Sequence, residues 1–182
     1  MGYLHLYTGN GKGKTTCAVG LVVRAIGAGM RVAFCQFDKG FDGNNEHYHE
    51  RFILRTLPGL DLFFFGMERM MPDGKFRFQN TEDDFAQAKA GLEKATELLV
   101  GGQYDMIVCD ELITCVGTKL LGEDDLLGFV ARFRETSEVE LVLTGRGATP
   151  ALIEKADLVT EMTLIKHYWY DHKVEARKGI EY

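Results

Sequence analysis

The chain has 182 residues, of which 46% are hydrophobic and 26% charged, and its formal net charge is −6. This length and composition indicate one globular domain, spanning residues 1–182, whose core needs neither disulfides nor structural metals. The negative charge argues against nucleic acid as a partner, because a nucleic-acid surface needs a basic footprint. A small anionic ligand remains compatible, since a local cluster of N–H groups and lysines is enough to hold it.

The chain also lacks the sequence features of a secreted or membrane protein. It begins directly on an apolar strand without a basic and apolar leader, and no apolar run reaches the about 18 residues that a membrane helix requires. Its four cysteines show none of the short paired spacings of zinc sites or disulfide frameworks. We therefore expect a cytoplasmic protein with reduced cysteines and no membrane partner.

The first motif is a loop rich in glycine and lysine, between an apolar strand at 3–7 and an apolar helix at 17–26. It reads Gly9-Asn10-Gly11-Lys12-Gly13-Lys14-Thr15-Thr16. Glycines let successive backbone N–H groups turn toward one point, the two lysines add positive charge, and the threonine hydroxyl after Lys14 is a ligand for Mg²⁺. The pattern predicts that these eight residues form a phosphate-binding loop. A glycine-rich turn without a ligand is the alternative.

A second group of signals lies in the middle of the chain. After strands at 31–37 and 60–65 and a short helix at 46–57, residues 66–78 combine turn signals with many large apolar side chains. Two interpretations stay open for this segment: a loop packed onto the core, or an apolar face that binds a flat apolar ligand.

An acidic pair follows the strongest helix signal. Thr81 caps a helix of apolar periodicity that ends at Gly101-Gly102, and the next apolar strand, from Tyr104, ends in Asp110-Glu111. Beside a phosphate loop, such a pair holds Mg²⁺ directly or through water. A solvated strand end is the alternative for the pair taken alone.

The remaining elements complete an alternating pattern. Helices at 112–119 and 123–135 precede a strand at 139–144, and a helix at 149–156 precedes a strand at 158–165. Arg146 follows the 139–144 strand, at the edge where parallel sheets bind ligands, so we expect it to contact phosphate or another anion, with an exposed turn arginine as the alternative. The alternation predicts a single-domain α/β fold of the P-loop NTPase type, with a mostly parallel sheet of about six strands and helices on both faces.

These motifs together resemble the phosphate-loop type of ATP:corrinoid (cobalamin) adenosyltransferase. The resemblance runs the length of the chain and includes the late first glycine of the loop, where Thr8 stands in the place of the usual glycine. It rests on Thr8–Thr16, Gln36-Phe37-x-Lys39-Gly40, Asp110-Glu111-Leu112, Leu143–Arg146, Ala156–Met162, Lys166-His167 and Gly179–Tyr182.

The resemblance implies transfer of the 5'-deoxyadenosyl group of ATP to reduced corrinoid cobalt, with release of triphosphate. ATP binding by Gly9–Thr16 and Arg146, with Lys14, Lys12 and Thr15 in catalytic roles, is implied in the same way. The resemblance also implies Mg²⁺ on Thr15, Asp110 and Glu111, a reductant such as a flavoprotein, and a homodimer. Because Co(I) is itself a strong nucleophile, such an enzyme needs alignment and stabilisation of the leaving group rather than a general base. A P-loop ATPase or nucleoside kinase, and a non-catalytic ATP- or corrinoid-binding protein, are the competing hypotheses.

The corrinoid face departs from the family pattern. The family displaces the lower cobalt ligand with aromatic residues around a Phe-x-Trp after the third strand, whereas this chain has Gly66-Met67-Glu68-Arg69 and a single tryptophan, Trp169. We expect Phe65, Met67 and Phe76 to contact the corrinoid instead.

Overall fold

The computed structural model describes residues 2–41, 43, 46–71, 76–136 and 138–182. Six strands form one sheet in the order β3-β2-β4-β5-β1-β6, and every neighbouring pair is parallel. The strands are β1 (Leu4–Thr8), β2 (Val32–Phe37), β3 (Leu60–Phe65), β4 (Met106–Asp110), β5 (Glu140–Thr144) and β6 (Leu158–Glu161). The helices are α1 (Lys14–Gly27), α2 (Glu50–Leu54), α3 (Glu82–Gly101), α4 (Leu112–Gly117), α5 (Glu123–Thr136), α6 (Pro150–Lys155) and α7 (Tyr168–His172).

The sheet is covered by helices on both faces, as the alternating pattern predicted. Along β2 all six residues are buried, and successive side chains enter different cores. Phe34 packs in one core with Ala18 and Val22 of α1, whereas Cys35 packs in the other with Ala95 of α3 and Phe129 of α5. A parallel strand buried on both faces is mostly apolar, and the apolar sequence of β2 is interrupted by Gln36, whose buried side chain is hydrogen-bonded to Glu50 and Arg51.

Helix α3 has the boundaries that its sequence signals predict. The Thr81 hydroxyl accepts a hydrogen bond from the Asp84 amide, while the Asp84 carboxylate accepts from the Thr81 amide, which forms a capping box. At the other end, Gly102 adopts a left-handed conformation with φ of 62°, where glycine carries no steric cost.

The prediction for the C-terminal region is wrong in detail. Strand β6 ends at Glu161 rather than at residue 165, and the helix Tyr168–His172 has no counterpart in the prediction. The apolar run after Glu161 leaves the sheet because it turns over the glycine loop, where the Gly11 amide donates to the Met162 carbonyl at 2.6 Å. A contact with a distant loop of this kind is invisible to local periodicity.

Two of the predicted loops extend beyond the described residues. Asp42, Asn44 and Asn45 of the loop after β2, and 72–75 of the segment 66–78, lie outside them.

Of the helices in the described part of the chain, none combines the length and apolar character needed to traverse a bilayer.

Candidate active site

The carboxyl ends of the parallel strands meet at one edge of the sheet, and a cleft of about 1110 Å³ lies there. The glycine loop after β1, Lys39 after β2, Glu111 after β4 and Arg146 after β5 all line it. The C-terminal segment, including His167, Trp169 and 179–182, lines it as well. Ligands of open α/β sheets bind at this edge, so the topology brings most of the predicted site residues together.

The glycine loop is compact because another backbone lies directly against it. A Cβ atom added at Gly9 or at Gly11 would lie 2.6 Å from the Met162 carbonyl oxygen. Gly9 and Gly13 also have positive φ angles of 95° and 114°, which side chains rarely tolerate. Three glycines therefore satisfy the requirements of this turn, and the loop delivers the chain into α1 at Lys14.

The start of α1 is suited to an anion. Its N-cap residue, Gly13, provides no side-chain cap, so no capping side chain competes for the first amides of the helix, whose residues Lys14, Thr15 and Thr16 line the cleft. Such amides, together with the positive end of the helix dipole, favour phosphate or carboxylate groups. Asn10, Lys12, Thr15 and Thr16 line the cleft beside them.

Lys14 is buried and holds the loop in shape. Its ammonium group donates to the carbonyl oxygens of Gly9 and Gly11, at 2.7 and 2.8 Å. Burial lowers the pKa of Lys14 below its ordinary value. The lysine is thus positioned inside the loop, and an anion bound there would offer it new acceptors.

Lys12 has a partner that the sequence did not suggest. Its ammonium group donates to Glu181 at 2.6 Å and to the Tyr168 hydroxyl at 3.3 Å. The hydrogen bond to Glu181 raises the pKa of Lys12. The C-terminal segment therefore contacts the glycine loop through the Glu181 carboxylate. A bound phosphate would take the place of this carboxylate as the partner of Lys12.

Thr15 and Asp110 form the centre of the predicted metal site. The Thr15 hydroxyl donates to Asp110 Oδ2 at 3.2 Å, and Thr144 donates to Asp110 Oδ1 at 2.7 Å. Asp110 is completely buried. Burial alone would raise its pKa, but the charge and hydrogen bond of Lys39 outweigh that effect and lower it.

Glu111 is turned into the cleft by an unusual backbone conformation. Its φ of 64° lies in the left-handed region, which costs a non-glycine residue about 1 kcal/mol or more and is concentrated at functional sites. Its amide donates to the Thr144 hydroxyl at 2.9 Å, and its carboxylate accepts from Thr114 at 2.5 Å. Hydroxyl and carboxylate oxygens of this kind are the hard ligands that Mg²⁺ prefers.

Lys39 is a site residue that the predicted set of site residues omits. Its ammonium group donates to Asp110 Oδ2 at 2.6 Å and to Thr15 Oγ1 at 2.9 Å. Burial alone would lower the pKa of Lys39, but the negative charges of Asp110 and Glu111 outweigh it and raise the pKa. Its place in the block Gln36–Gly40, at the carboxyl end of a buried strand, was the available signal.

Arg146 lies at the rim of the cleft. The residue is exposed and lines the cleft, and its backbone amide donates to the Thr114 hydroxyl at 2.9 Å. The preceding residue, Gly145, is tightly packed, because a Cβ there would lie 2.4 Å from the Thr114 amide nitrogen. The backbone of Arg146 is therefore held by a tightly packed turn at the rim of the cleft.

The residues predicted for the corrinoid do not line this cleft. Phe65 is half-buried and packs against Phe37, with ring centroids 5.8 Å apart. Met67 and Phe76 are exposed by 37% and 46%. They share their segment with further exposed apolar side chains, namely Met70, Met71 and Phe78.

Arg69, which stands near the position of the family's aromatic residues, is buried and forms an ion pair. Its guanidinium donates to Asp38 at 2.7 Å and to Asn80 at 3.0 Å. It thus joins the segment after β3 to the loop after β2 and, being buried, does not add to the exposed surface of that segment.

The parallel sheet, with a glycine- and lysine-rich loop between its first strand and first helix, defines a phosphate-loop α/β protein. The solved structure of the flagellar accessory protein FlaH from Methanocaldococcus jannaschii has a similar fold, with a TM-score of 0.55 and 15% identity, over 87% of this chain and 70% of that one. At this identity the likeness concerns the fold alone.

The comparison of sequences is more specific. The family described as ATP:corrinoid adenosyltransferase BtuR/CobO/CobP matches residues 1–182, and the chain belongs to this family. It is 36% identical to a corrinoid adenosyltransferase of Pseudomonas aeruginosa over 100% of this chain and 84% of the relative. The corresponding enzymes of Escherichia coli K12 and Salmonella typhimurium are each 33% identical, over 100% of this chain and 86% of theirs. The resemblance predicted from the motifs is confirmed.

Proposed function

We propose that this chain transfers the 5'-deoxyadenosyl group of ATP to the Co(I) centre of a reduced corrinoid, with residues 1–182 acting as one catalytic domain. Membership of the corrinoid adenosyltransferase family supports the reaction. The structural observation that carries the proposal is a cleft that is lined both by the glycine loop and by the C-terminal residues His167 and 179–182. Segments from the two ends of the chain, both part of the family resemblance, thus enclose one ligand volume.

The substrate and the protein have different roles in this reaction. The electron pair of Co(I) attacks C5' of ATP, the C5'–O5' bond breaks, and triphosphate leaves with that bond's electron pair while the cobalt becomes formally Co(III). The substrate supplies the nucleophile, so the protein has to hold C5' in line with cobalt and to stabilise the departing triphosphate. No side chain has to remove a proton from a reacting group.

The described cleft residues provide that stabilisation. In the proposal Lys14 exchanges the carbonyls of Gly9 and Gly11 for phosphate oxygens, and the amides at the start of α1 bind the same chain of phosphates. Lys12 leaves Glu181 for the polyphosphate, and Arg146 approaches it from the rim. These donors act in a partly enclosed cleft, where each one stabilises negative charge more strongly than the same donor in water.

The polyphosphate is proposed to bind together with Mg²⁺. The Thr15 hydroxyl and Asp110 Oδ2 converge on one point, since both accept a hydrogen bond from the same Lys39 ammonium, and Glu111 lines the cleft beside them. This donor set fits a hard divalent cation that keeps some water and phosphate ligands. Mg²⁺ would neutralise charge that develops on the leaving triphosphate.

The corrinoid is proposed to lie against the exposed side chains Met67 and Phe76, with Phe65 supporting them from the core. Methionine and phenylalanine suit a flat macrocycle because they offer a broad apolar surface with adaptable shape. A reductant such as a flavoprotein, a homodimer and a cytoplasmic location complete the proposal.

The test is to incubate the protein with Mg-ATP and chemically reduced cobalamin and to follow the absorption spectrum of the cobalt. We expect the light-sensitive spectrum of adenosylcobalamin, and Lys14→Ala should abolish its formation while leaving the circular dichroism unchanged. Hydrolysis of ATP to ADP without a Co–C bond would overturn the proposal in favour of an ATPase or kinase. Binding of both ligands without any product would favour a non-catalytic binding protein.

A further inference from the structure

The ammonium group of Lys39 lies where the protein would be expected to bind a metal ion. It is 2.6 Å from Asp110 Oδ2 and 2.9 Å from Thr15 Oγ1, and it also lies 5.3 Å from the centre of the Tyr48 ring. Lys39 is 9% exposed and Asp110 is completely buried. The buried carboxylate therefore has a positive partner before any ligand is bound.

The backbone that carries Lys39 is held firmly in this position. Arg51, which is completely buried, donates to the Lys39 carbonyl oxygen at 2.6 Å. A Cβ at Gly40 would lie 2.1 Å from the Met67 carbonyl carbon, so the next residue fits against the loop after β3 without space to spare. The ammonium group is thus delivered to Asp110 by a braced loop, and its four-carbon stem is the part that is able to move.

Lys39 and a divalent cation would compete for the same two oxygens. Mg²⁺ binds oxygen at about 2.0–2.1 Å, whereas the ammonium group hydrogen-bonds to these atoms from slightly farther away. A metal ion on Thr15 and Asp110 would therefore overlap the ammonium group or lie within a few ångströms of it. Like charges at such distances repel strongly in a partly enclosed site.

A bound polyphosphate removes this conflict. Lys39 lines the same cleft as the glycine loop, so its ammonium group has phosphate oxygens to move to once a nucleotide is present. The nucleotide also supplies the further oxygen ligands that the metal needs. With both ligands present, the lysine neutralises phosphate and the metal neutralises Asp110.

We propose that Lys39 is a tethered cation that occupies the metal position of the nucleotide-free protein, so that a divalent metal enters only together with a polyphosphate. This inference deepens the proposed function and depends on its metal site, but not on the corrinoid chemistry. Its consequence is ordered loading, in which metal alone is excluded and the carboxylate of Asp110 is never left without a counter-charge. Lys39 is a positioning residue for the metal and the phosphates.

The test measures Mn²⁺ binding by electron paramagnetic resonance, with Mn²⁺ as the probe and without nucleotide. We expect weak binding to the wild type and at least tenfold tighter binding to Lys39→Met and Lys39→Gln. Lys39→Arg keeps a positive charge and should bind as weakly as the wild type. Adding Thr15→Val to Lys39→Met should remove the gain, which would place the new metal at the proposed oxygens.

The matched control is Lys12→Met, which removes a lysine from the same cleft but not from the metal position. We expect it to change Mn²⁺ affinity without nucleotide by less than threefold. Equal gains in Lys12→Met and Lys39→Met would overturn the inference, because they would indicate a general charge effect in the cleft. Equal Mn²⁺ affinities for the wild type and both neutral Lys39 variants would overturn it as well.

Measurements with ATP separate this inference from the proposed function. We expect ATP to tighten Mn²⁺ binding by a larger factor in the wild type than in Lys39→Gln, and by linkage Mn²⁺ must tighten ATP binding by the same factors. If ATP tightened Mn²⁺ binding by the same factor in the wild type and in Lys39→Gln, the metal would not have to displace the lysine, and the inference would be wrong. Adenosyl transfer is not part of this measurement, so a negative result in the cobalamin assay would leave the Mn²⁺ result standing.

Discussion

The pair formed by Lys39 and Asp110 predicts a large coupling in the stability of the nucleotide-free protein. Asp110→Asn keeps the shape of the side chain but leaves the ammonium group, at 2.6 Å and nearly buried, without its counter-charge. Lys39→Met leaves the completely buried carboxylate with hydroxyl donors from Thr15 and Thr144. Removing one member of a buried ion pair costs about 3–5 kcal/mol, and we expect about 3 kcal/mol here because these hydroxyls remain.

The double variant should lose less stability than the sum of the two single losses. Without either charge, the site has no unpaired ion, and neutral replacements of buried pairs are often tolerated. We expect Lys39→Met/Asp110→Asn to lose about as much stability as one single variant, which corresponds to a coupling of about 3 kcal/mol. At about 2–4 °C per kcal/mol for a chain of this size, each single variant should melt about 6–12 °C below the wild type.

The assay is thermal and urea unfolding at pH 7 in buffer with a chelator. At this pH both groups are charged. The pKa of Asp110 is lowered, so the stability that its charge contributes is lost only at acid pH. The pKa of Lys39 is raised, so the stability that its charge contributes is lost only at alkaline pH. The control cycle uses the exposed pair Lys94 and Glu97, for which we expect a coupling of about 0.5 kcal/mol or less. Additive losses at Lys39 and Asp110, within about 0.5 kcal/mol, would refute the reasoning.

Three further predictions concern the loop, the corrinoid face and a helix cap. Gly11→Ala places a Cβ 2.6 Å from a backbone oxygen and should cost about 1–3 kcal/mol of stability and weaken ATP binding, measured by thermal melting and calorimetry. Replacing Met67 and Phe76 with alanine should weaken corrinoid binding at least tenfold more than ATP binding, measured by titrating each ligand. Asp84→Asn should cost about 2 kcal/mol at pH 7, and this loss should shrink below about pH 4, since an arginine holds the pKa of Asp84 well below its ordinary value.

Each of these predictions has a control and a contradicting result. Gly20→Ala, in α1 with no atom within 4 Å of the added Cβ, should leave stability equal or slightly higher, and an equal loss in both glycine variants would contradict the packing argument. Phe85→Ala removes an exposed aromatic of α3 and should change neither affinity. Equal weakening of ATP and corrinoid binding by the Met67 and Phe76 double variant would count against the apolar face, and a loss independent of pH in Asp84→Asn would exclude the charge as its cause.

The sequence predicted the parts of this protein whose structure is determined locally. The glycine loop, the largely apolar strand from Val32 to Phe37, and the helix between Thr81 and Gly102 each carry their own signals, and together they define the parallel α/β fold. Asp110, at the end of a buried strand, was predicted for the site on the same basis. Local chemistry and the alternation of elements were sufficient for these features.

The features that the sequence did not predict depend on contacts between distant segments. The bond between Lys12 and Glu181 joins residues 169 positions apart, and Lys39 reaches Asp110 across 71 positions. The shortened strand β6 follows from the contact between Met162 and Gly11. In the sequence, Arg69 stands near the position where the family has aromatic residues. In the structure it pairs with Asp38 and so holds two loops together, which no local pattern indicates.

The most direct test of the central claim is to identify which bond of ATP breaks. With Mg-ATP and chemically reduced cobalamin, phosphorus NMR should show one triphosphate for each cobalt–carbon bond counted from the absorption spectrum. We expect this one-to-one ratio for the wild type and no triphosphate from Lys14→Ala. ADP and phosphate as the products, or triphosphate released without a cobalt–carbon bond, would contradict it.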